Sequence, residues 1–146
     1  ARYAVTALSQ LPYSSGIANP NTSGSATTLT STGDISLASN NFSLIASGLP
    51  TNGSGTSTMG QFFYSFDRAS PMPLNDGILY IGPGLFRMTP VLLNQDPFTY
   101  HFDLSMLPSG GSISSFDEVH IQLWYRDSTS PNGSNLSDVH TVSFGL

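Results

Sequence analysis

Two segments decide the fold: VHIQLWYR at residues 119–126 and VHTVSF at residues 139–144. In an extended strand every second side chain shares a face. The second segment follows a Pro-Asn-Gly-Ser loop that begins at Pro131, so the two segments predict an antiparallel hairpin. One face of its first strand carries Val119, Ile121, Leu123 and Tyr125, and the other carries His120, Gln122, Trp124 and Arg126.

The same period of two recurs upstream of the hairpin. Gly and Pro return every few residues, and no stretch has the 3.6-residue period of an amphipathic helix. Residues 78–93 form an apolar stretch that Gly82-Pro-Gly84 divides into two strands. The chain is therefore predicted to be all-β, an antiparallel two-sheet β-sandwich or jelly roll of about eight strands. The other predicted strands lie near residues 35–37, 41–48, 61–66 and 98–104.

The first 32 residues differ in character from the rest. Residues 1–9 alternate as a strand, whereas residues 12–32 are dominated by Pro, Ser, Gly, Asn and Thr without a period. We therefore predict an N-terminal donor strand in 1–11, a linker or long loop in 12–32, and a β-sandwich domain in 33–146. A strand on a flexible arm is able to add to the sheet edge of a neighbouring copy. The residues predicted to make that subunit contact are Tyr3, Val5, Ala7 and Leu8.

The charge inventory argues against several classes of partner. The chain has nine acidic residues against four arginines and no lysine, and its net charge is −5. Nucleic acids and anionic membrane surfaces are bound by clustered cations, so we expect neither partner. No apolar run approaches the roughly 20 residues that span a bilayer as a helix. Because cysteine is absent, disulfides and thiolate sites are excluded.

Hydroxyl groups and sequons favour an extracellular location. Serine and threonine make up 37 of the 146 residues, and only 9% of residues are charged, whereas ordinary soluble domains have about 25%. A chain that begins at Ala1 is expected to be the product of signal-peptide removal. Five sequons are candidate N-glycosylation sites, at Asn21, Asn41, Asn52, Asn132 and Asn135.

Six short motifs are distributed over the last two thirds of the chain. They are IQLWYRD at 121–127, NLSD at 135–138, VSF at 142–144, NNFSL at 40–44, ASGLP at 46–50 and FDLSMLP at 102–108. Together they resemble a poorly characterised β-sandwich module that recurs near the C-termini of secreted proteins from planctomycetes and related bacteria. The resemblance spans about residues 40–146 and implies an extracellular β-domain without a known enzymatic activity. The module often has a cysteine where this chain has Leu79-Tyr-Ile81, and residues 1–39 have no counterpart in it.

The sequence does not assemble a catalytic set. No Gly-x-Ser-x-Gly elbow presents a serine nucleophile. Asp117 and Glu118 are adjacent on a strand and point to opposite faces, whereas glycoside cleavage needs two carboxyl groups that flank one bond. Zinc requires three or four ligands in fixed geometry, and the histidines lack such a pattern. We therefore expect a protein that is not an enzyme and that holds no metal through His101, His120 and His140.

Calcium is the one metal for which the sequence offers a ligand candidate. Calcium takes six to eight oxygen ligands, often from Asp, Asn and carbonyl groups of loops. The alternative interpretation is that these residues only form turns and sequons, and no Asp-x-Asp-x-Asp spacing accompanies them. We therefore expect no cofactor, with calcium as the open alternative. The oxygen-bearing residues in or beside this one loop are Asp127, Asn132, Asn135 and Asp138.

Trp124 and Arg126 form a candidate ligand face. They share one side of a strand, and an exposed aromatic ring beside an arginine is suited to stacking on a sugar ring. The alternative is that Trp124 belongs to a core and that Arg126 pairs with the neighbouring Asp127. Both interpretations remain open at this point.

Two functions of different classes fit these patterns. The leading hypothesis is a structural subunit of an extracellular filament or surface assembly, in which the N-terminal strand joins each copy to the next as a helical or head-to-tail homopolymer. Glycans are then expected on its outer surface. The alternative is a secreted carbohydrate- or calcium-binding β-sandwich module.

Overall fold

The computed structural model of the protein describes residues 12–50 and 58–146, and these residues form twelve strands and no helix. Every pairing between strands is antiparallel. In chain order the strands are β1 (Tyr13–Ser15), β2 (Thr28–Thr32), β3 (Ser43–Ser47), β4 (Thr58–Ser65), β5 (Arg68–Leu74), β6 (Gly77–Ile81), β7 (Phe86–Arg87), β8 (Val91–Leu93), β9 (Phe98–His101), β10 (Glu118–Arg126), β11 (Ser134–Leu136) and β12 (Val139–Ser143). The all-β prediction is confirmed, but the strand count is about twelve rather than eight. Strands of two or three residues, such as β7 and β11, are too short to show a period in the sequence.

Three sheets make up the molecule. A seven-stranded sheet has the order β1-β12-β10-β4-β7, with β11 also paired to β10 and β8 also paired to β4. A three-stranded sheet has the order β2-β3-β9, and β5 and β6 form a two-stranded hairpin. The predicted hairpin is present at the centre of the large sheet, where Val119 of β10 lies opposite Val142 of β12.

The main core lies between the seven-stranded and three-stranded sheets. The apolar face predicted for β10 belongs to it, because Val119, Ile121, Leu123 and Tyr125 are all buried there. Aromatic rings connect the two sheets: the rings of Phe62 on β4 and Tyr100 on β9 are stacked with centroids 4.4 Å apart. Burial of such rings is among the largest apolar contributions in a domain of this size.

Residues 12–32, which the sequence predicts to be a linker or long loop, include two short strands. They contribute β1, which pairs with β12, and β2, which pairs with β3, so the folded domain already includes them. Asn21 is only 7% exposed, and its side-chain amide donates to the Gly48 carbonyl oxygen at 2.7 Å and to the Tyr125 hydroxyl at 3.2 Å. Composition does not reveal these strands or the buried polar contacts, because they depend on hydrogen bonds to distant segments.

Part of the sequence-based hypothesis concerns residues outside the described ranges. The predicted donor strand, with Tyr3, Val5, Ala7 and Leu8, lies in residues 1–11, and the sequon at Asn52 lies in residues 51–57. Within the ranges that are described, no helix has the length and apolar character to cross a membrane.

Candidate ligand-binding site

The outer face of the seven-stranded sheet, turned away from the main core, carries two rows of side chains. Directly opposite residues of an antiparallel pair share a face, so the strand registers define these rows. The first row runs across β11, β10 and β4 as Leu136, Trp124 and Gln61. The second runs across β10, β4 and β7 as Gln122, Phe63 and Arg87.

The β5–β6 hairpin covers part of this outer face and leaves a pocket beside it. Leu79, Tyr80 and Ile81 of β6 pack with Phe63, Leu136 and Val139 as a second small core. The pocket next to this core has a volume of about 290 Å³, near the lower limit of small-ligand sites. We call it the Trp124 pocket, and it is lined by Gln61, Phe63, Leu74, Asn75, Leu79, Leu85, Arg87, Trp124 and Leu136.

Gln122 fixes the hairpin to the sheet. Its side chain is fully buried, and its Nε2 donates to the carbonyl oxygens of Ile78 at 3.1 Å and Ser137 at 2.8 Å. Its Oε1 accepts from the backbone N–H of Tyr80 at 2.9 Å. A buried amide that satisfies three backbone groups holds two elements in one relative position. This residue therefore keeps the wall of the Trp124 pocket in place.

Asp76 fixes the tip of the same hairpin. Its Oδ2 accepts from the Ser130 hydroxyl at 2.6 Å and from the Asn132 backbone N–H at 3.0 Å. Its Oδ1 accepts from the Asn132 side-chain amide at 2.9 Å. These hydrogen bonds, above all the one from Ser130, lower the pKa of the Asp76 carboxyl. The neighbouring Asn75 lies in the left-handed region with a φ of 54°, which asparagine tolerates better than most residues.

Trp124 matches both sequence-based interpretations in part, as a core residue and as a residue of a ligand face. The indole is partly buried and packs against the second core, but it also lines the pocket. Arg126 is exposed, and its guanidinium carbon lies 5.7 Å from the Trp124 ring centroid. The expected pairing of Arg126 with Asp127 is not formed, because Asp127 is buried and accepts instead from the Thr22 backbone N–H at 2.9 Å and from its hydroxyl.

Polar atoms at the Trp124 pocket are available to a ligand. Gln61 donates its Nε2 to the Met88 carbonyl oxygen at 2.9 Å, and Asn75 donates its Nδ2 to the Ser134 hydroxyl at 2.5 Å. Within the described residues the side-chain oxygens of these two amides accept no hydrogen bond. Arg87 adds the one charged side chain of the lining. Sequence reasoning missed Arg87, because only the pairing of β7 with β4 brings it opposite Phe63.

A second pocket, of about 440 Å³, lies at the corner where β1 approaches β2. His140 lies in its lining between two serines, with Nδ1 2.8 Å from Ser14 Oγ and Nε2 2.8 Å from Ser31 Oγ. Ser14 already donates its proton to the Leu29 carbonyl oxygen, so Nδ1 is the protonated nitrogen and Ser14 accepts from it. Burial lowers the pKa of His140 to about 4. In this arrangement the imidazole does not accept the proton of Ser14.

Asp138 lies near the same corner, where it contacts the backbone of Leu29 on β2. The residue is 7% exposed, and its Oδ1 accepts from the Leu29 backbone N–H at 2.8 Å. Burial raises the pKa of this carboxyl to about 6. The Leu29 backbone N–H and carbonyl oxygen both point away from β3. Asp138 accepts from the N–H, and Ser14 donates to the carbonyl oxygen. The outer edge of β2 is therefore occupied by side chains at this position.

The four residues that the sequence offers as possible calcium ligands each contact a different partner. Asp127 binds Thr22 and Asp138 binds Leu29. The Asn132 amide binds Asp76, and the Asn135 amide donates to the Pro20 carbonyl oxygen at 3.2 Å. No group of three or more His, Cys, Asp or Glu side chains suited to a metal occurs in the described part of the chain. The structure therefore does not bring these four residues to one centre.

The three histidines occupy separate environments. The His120 Nε2 lies 3.1 Å from a Glu118 carboxylate oxygen, and its Nδ1 lies 2.9 Å from the Thr141 hydroxyl. Burial is the largest influence on its pKa, which is lowered. His101 is exposed and contacts the Asn40 carbonyl oxygen. Although β10 and β12 pair as predicted, His120 lies opposite Thr141 rather than opposite His140.

The described sequons divide into two exposed and two buried asparagines. Asn41 and Asn132 are exposed. Asn21 and Asn135 are 7% and 1% exposed, and their amides are bonded to interior partners. A glycan on either buried amide would displace these contacts, so among the sequons of residues 12–50 and 58–146 only Asn41 and Asn132 are placed to carry one.

Comparisons with protein-family models, with curated proteins and with solved structures found no match to this chain.

Proposed function

We propose that the protein is a secreted, non-catalytic module that binds carbohydrate in the Trp124 pocket. The observation that supports this most strongly is the pocket itself, whose lining combines Trp124 and other apolar side chains with the amides of Gln61 and Asn75. Sites for small ligands are typically concave and mostly apolar, with a few polar groups that fix orientation. The hydroxyl-rich composition and the exposed sequons support an extracellular role.

The chemistry of the lining suits a sugar ring. The C–H face of a pyranose packs on an aromatic ring, and its hydroxyls donate hydrogen bonds at the ring edge. Trp124 provides the ring, and the side-chain oxygens of Gln61 and Asn75 provide acceptors. The hairpin that forms one wall is held at both its centre and its tip, so the pocket is formed before a ligand arrives, which favours affinity.

Trp124→Ala should weaken carbohydrate binding at least tenfold while leaving the domain folded. The indole is only partly buried, so its removal costs less stability than truncating a core residue, whereas it removes the stacking surface of the pocket. Isothermal titration calorimetry against a panel of soluble neutral and acidic oligosaccharides measures the change.

Tyr13→Ala is the matched control for this experiment. Tyr13 is also a partly exposed aromatic residue, but it lines the second pocket. We expect its replacement to leave the affinity unchanged. Equal losses in the two variants, or no binding of any oligosaccharide by the unchanged protein, would contradict the proposed site.

A second candidate function is the homopolymer subunit, and the free edge of β9 favours it. Phe102 N–H bonds the Phe42 carbonyl oxygen, and hydrogen-bonded pairs alternate along an antiparallel ladder. Thr99 and His101 therefore turn their backbone groups to the outer edge of β9, which has no partner strand among the described residues. Exposed edges of this kind accept added strands.

The described core bears on how such an addition would occur. Its central side chains, including Leu29, Phe42 and Phe144, are fully buried and pack together in one cluster. We therefore propose that an incoming strand extends the β9 edge through backbone hydrogen bonds. The proposed occupant of the β9 edge is the segment 1–11 of a second copy.

Deletion of residues 1–11 should then convert large particles into monomers, as measured by analytical ultracentrifugation and negative-stain microscopy. Thr99→Pro tests the acceptor side, because proline removes an outward N–H that no strand among the described residues uses. Loss of assembly in both variants supports strand addition. A wild-type protein that sediments as a monomer at all concentrations would exclude this second function.

A further inference from the structure

Cations are scarce in this chain, and two of the three described arginines lie at the Trp124 pocket. Arg87 is part of the lining, and Arg126 lies over the Trp124 ring. The third, Arg68, is engaged elsewhere, donating to Ser15 Oγ at 2.8 Å. No acidic side chain is among the lining residues. In a protein of net charge −5, the pocket lining therefore carries one cation and no anion.

Arg87 is placed to meet a ligand. Its side chain shares the outer face of the sheet with Phe63, the residue directly opposite on β4. The residue is exposed, and within the described ranges no carboxylate lies within 4.0 Å of its guanidinium. Its donors are therefore not committed to an ion pair there.

We propose that the Trp124 pocket recognises acidic carbohydrates, in which a sugar ring carries a carboxylate, in preference to neutral ones. This inference rests on the proposed carbohydrate-binding function. The planar guanidinium matches a carboxylate with two parallel hydrogen bonds. A neutral sugar offers hydroxyls to the amide oxygens and a C–H face to the indole. The arginine then remains hydrated. A uronic acid residue uses all three kinds of group at once.

The test compares acidic oligosaccharides with their methyl esters. Trp124 is the only tryptophan of the chain, so its fluorescence reports directly on the pocket. The probes are short oligomers of galacturonate, glucuronate and mannuronate, each as the free acid and as the methyl ester. We expect at least one free acid to bind about tenfold more tightly than its ester at low salt, because esterification removes the charge of the ligand and changes nothing in the protein.

Two charge-matched variants assign the effect to one residue. Arg87→Gln should bring the free acid to the affinity of its ester, and Arg68→Gln should leave the difference intact. If Arg87→Gln does not fold, as judged by circular dichroism, the acid and ester titrations of the unchanged protein decide alone. Equal affinity of acids and esters overturns this inference and leaves carbohydrate binding standing. Failure of every acidic and neutral oligosaccharide to bind overturns both.

Discussion

Gln122→Leu should lower the free energy of unfolding by about 4 kcal/mol. Leucine has nearly the volume of glutamine, so packing is retained, but two buried backbone groups and one partly buried group lose their partner. These are the carbonyl oxygens of Ile78 and Ser137 and the N–H of Tyr80. Leaving a buried polar group unpaired costs about 1–3 kcal/mol. Urea denaturation measures the loss, and hydrogen exchange at the Tyr80 amide shows whether the hairpin detaches first.

Gln61→Leu is the matched control, since it makes the same chemical change one strand away. The Gln61 side chain is only partly buried and donates a single hydrogen bond, to the Met88 carbonyl oxygen. We expect a loss of about 1 kcal/mol. If the two variants lose equal stability, Gln122 does not fix the hairpin in the way described.

Asp138 and His140 should make opposite contributions to the pH dependence of the free energy of unfolding. The pKa of Asp138 is raised from 3.8 to about 6, so the folded state binds more protons than the unfolded state between these values. Stability from this residue therefore falls as pH rises from about 4 to 6. The pKa of His140 is lowered from 6.5 to about 4, so its contribution rises with pH over nearly the same range. Each amounts to about 3 kcal/mol.

Single substitutions should expose the two opposed contributions. With Asp138→Asn, the amide oxygen still accepts from Leu29, the burial of a charge is avoided, and stability should rise steadily between pH 4 and 6.5. At pH 7 this variant should exceed the wild type by about 2 kcal/mol, because the introduced amide is itself buried. With His140→Gln, stability should fall between pH 4 and 6. His120, whose pKa is also lowered, adds a smaller rise in every variant.

Urea denaturation at unit steps from pH 4 to pH 7 measures these profiles. The wild type should show a nearly level profile apart from the small His120 rise, and the double variant should show the same profile. Parallel profiles for wild type, Asp138→Asn and His140→Gln would show that neither group is titrated differently by folding.

The sequence predicts the apolar framework of this protein well. The alternation in β10 and β12 is visible because each strand is long enough to repeat its pattern several times, and both faces of β10 fall where the pattern places them. The same reasoning fails for residues 12–32. There, Asn21 and the two short strands are held by hydrogen bonds and by pairing with distant strands, which leave no period in the sequence.

The candidate site is predictable only in part. Trp124 and Arg126 are found from one strand, since residues two apart share a face. Arg87 comes from a two-residue strand, and Asn75 comes from a hairpin tip. Their arrival at the same pocket depends on the pairing of β7 with β4 and on the Gln122 contacts that fold the hairpin over the sheet. Contacts between segments distant in sequence are not encoded in local patterns.

A two-dimensional ¹H–¹⁵N correlation spectrum, recorded during titration with the oligosaccharide panel, shows whether the Trp124 pocket is the binding site. We expect the indole N–H of Trp124 and the side-chain amides of Gln61 and Asn75 to shift together, with one common dissociation constant. Shifts confined to other surfaces, such as the corner around Ser14 and His140, or the absence of shifts with every oligosaccharide, would contradict it.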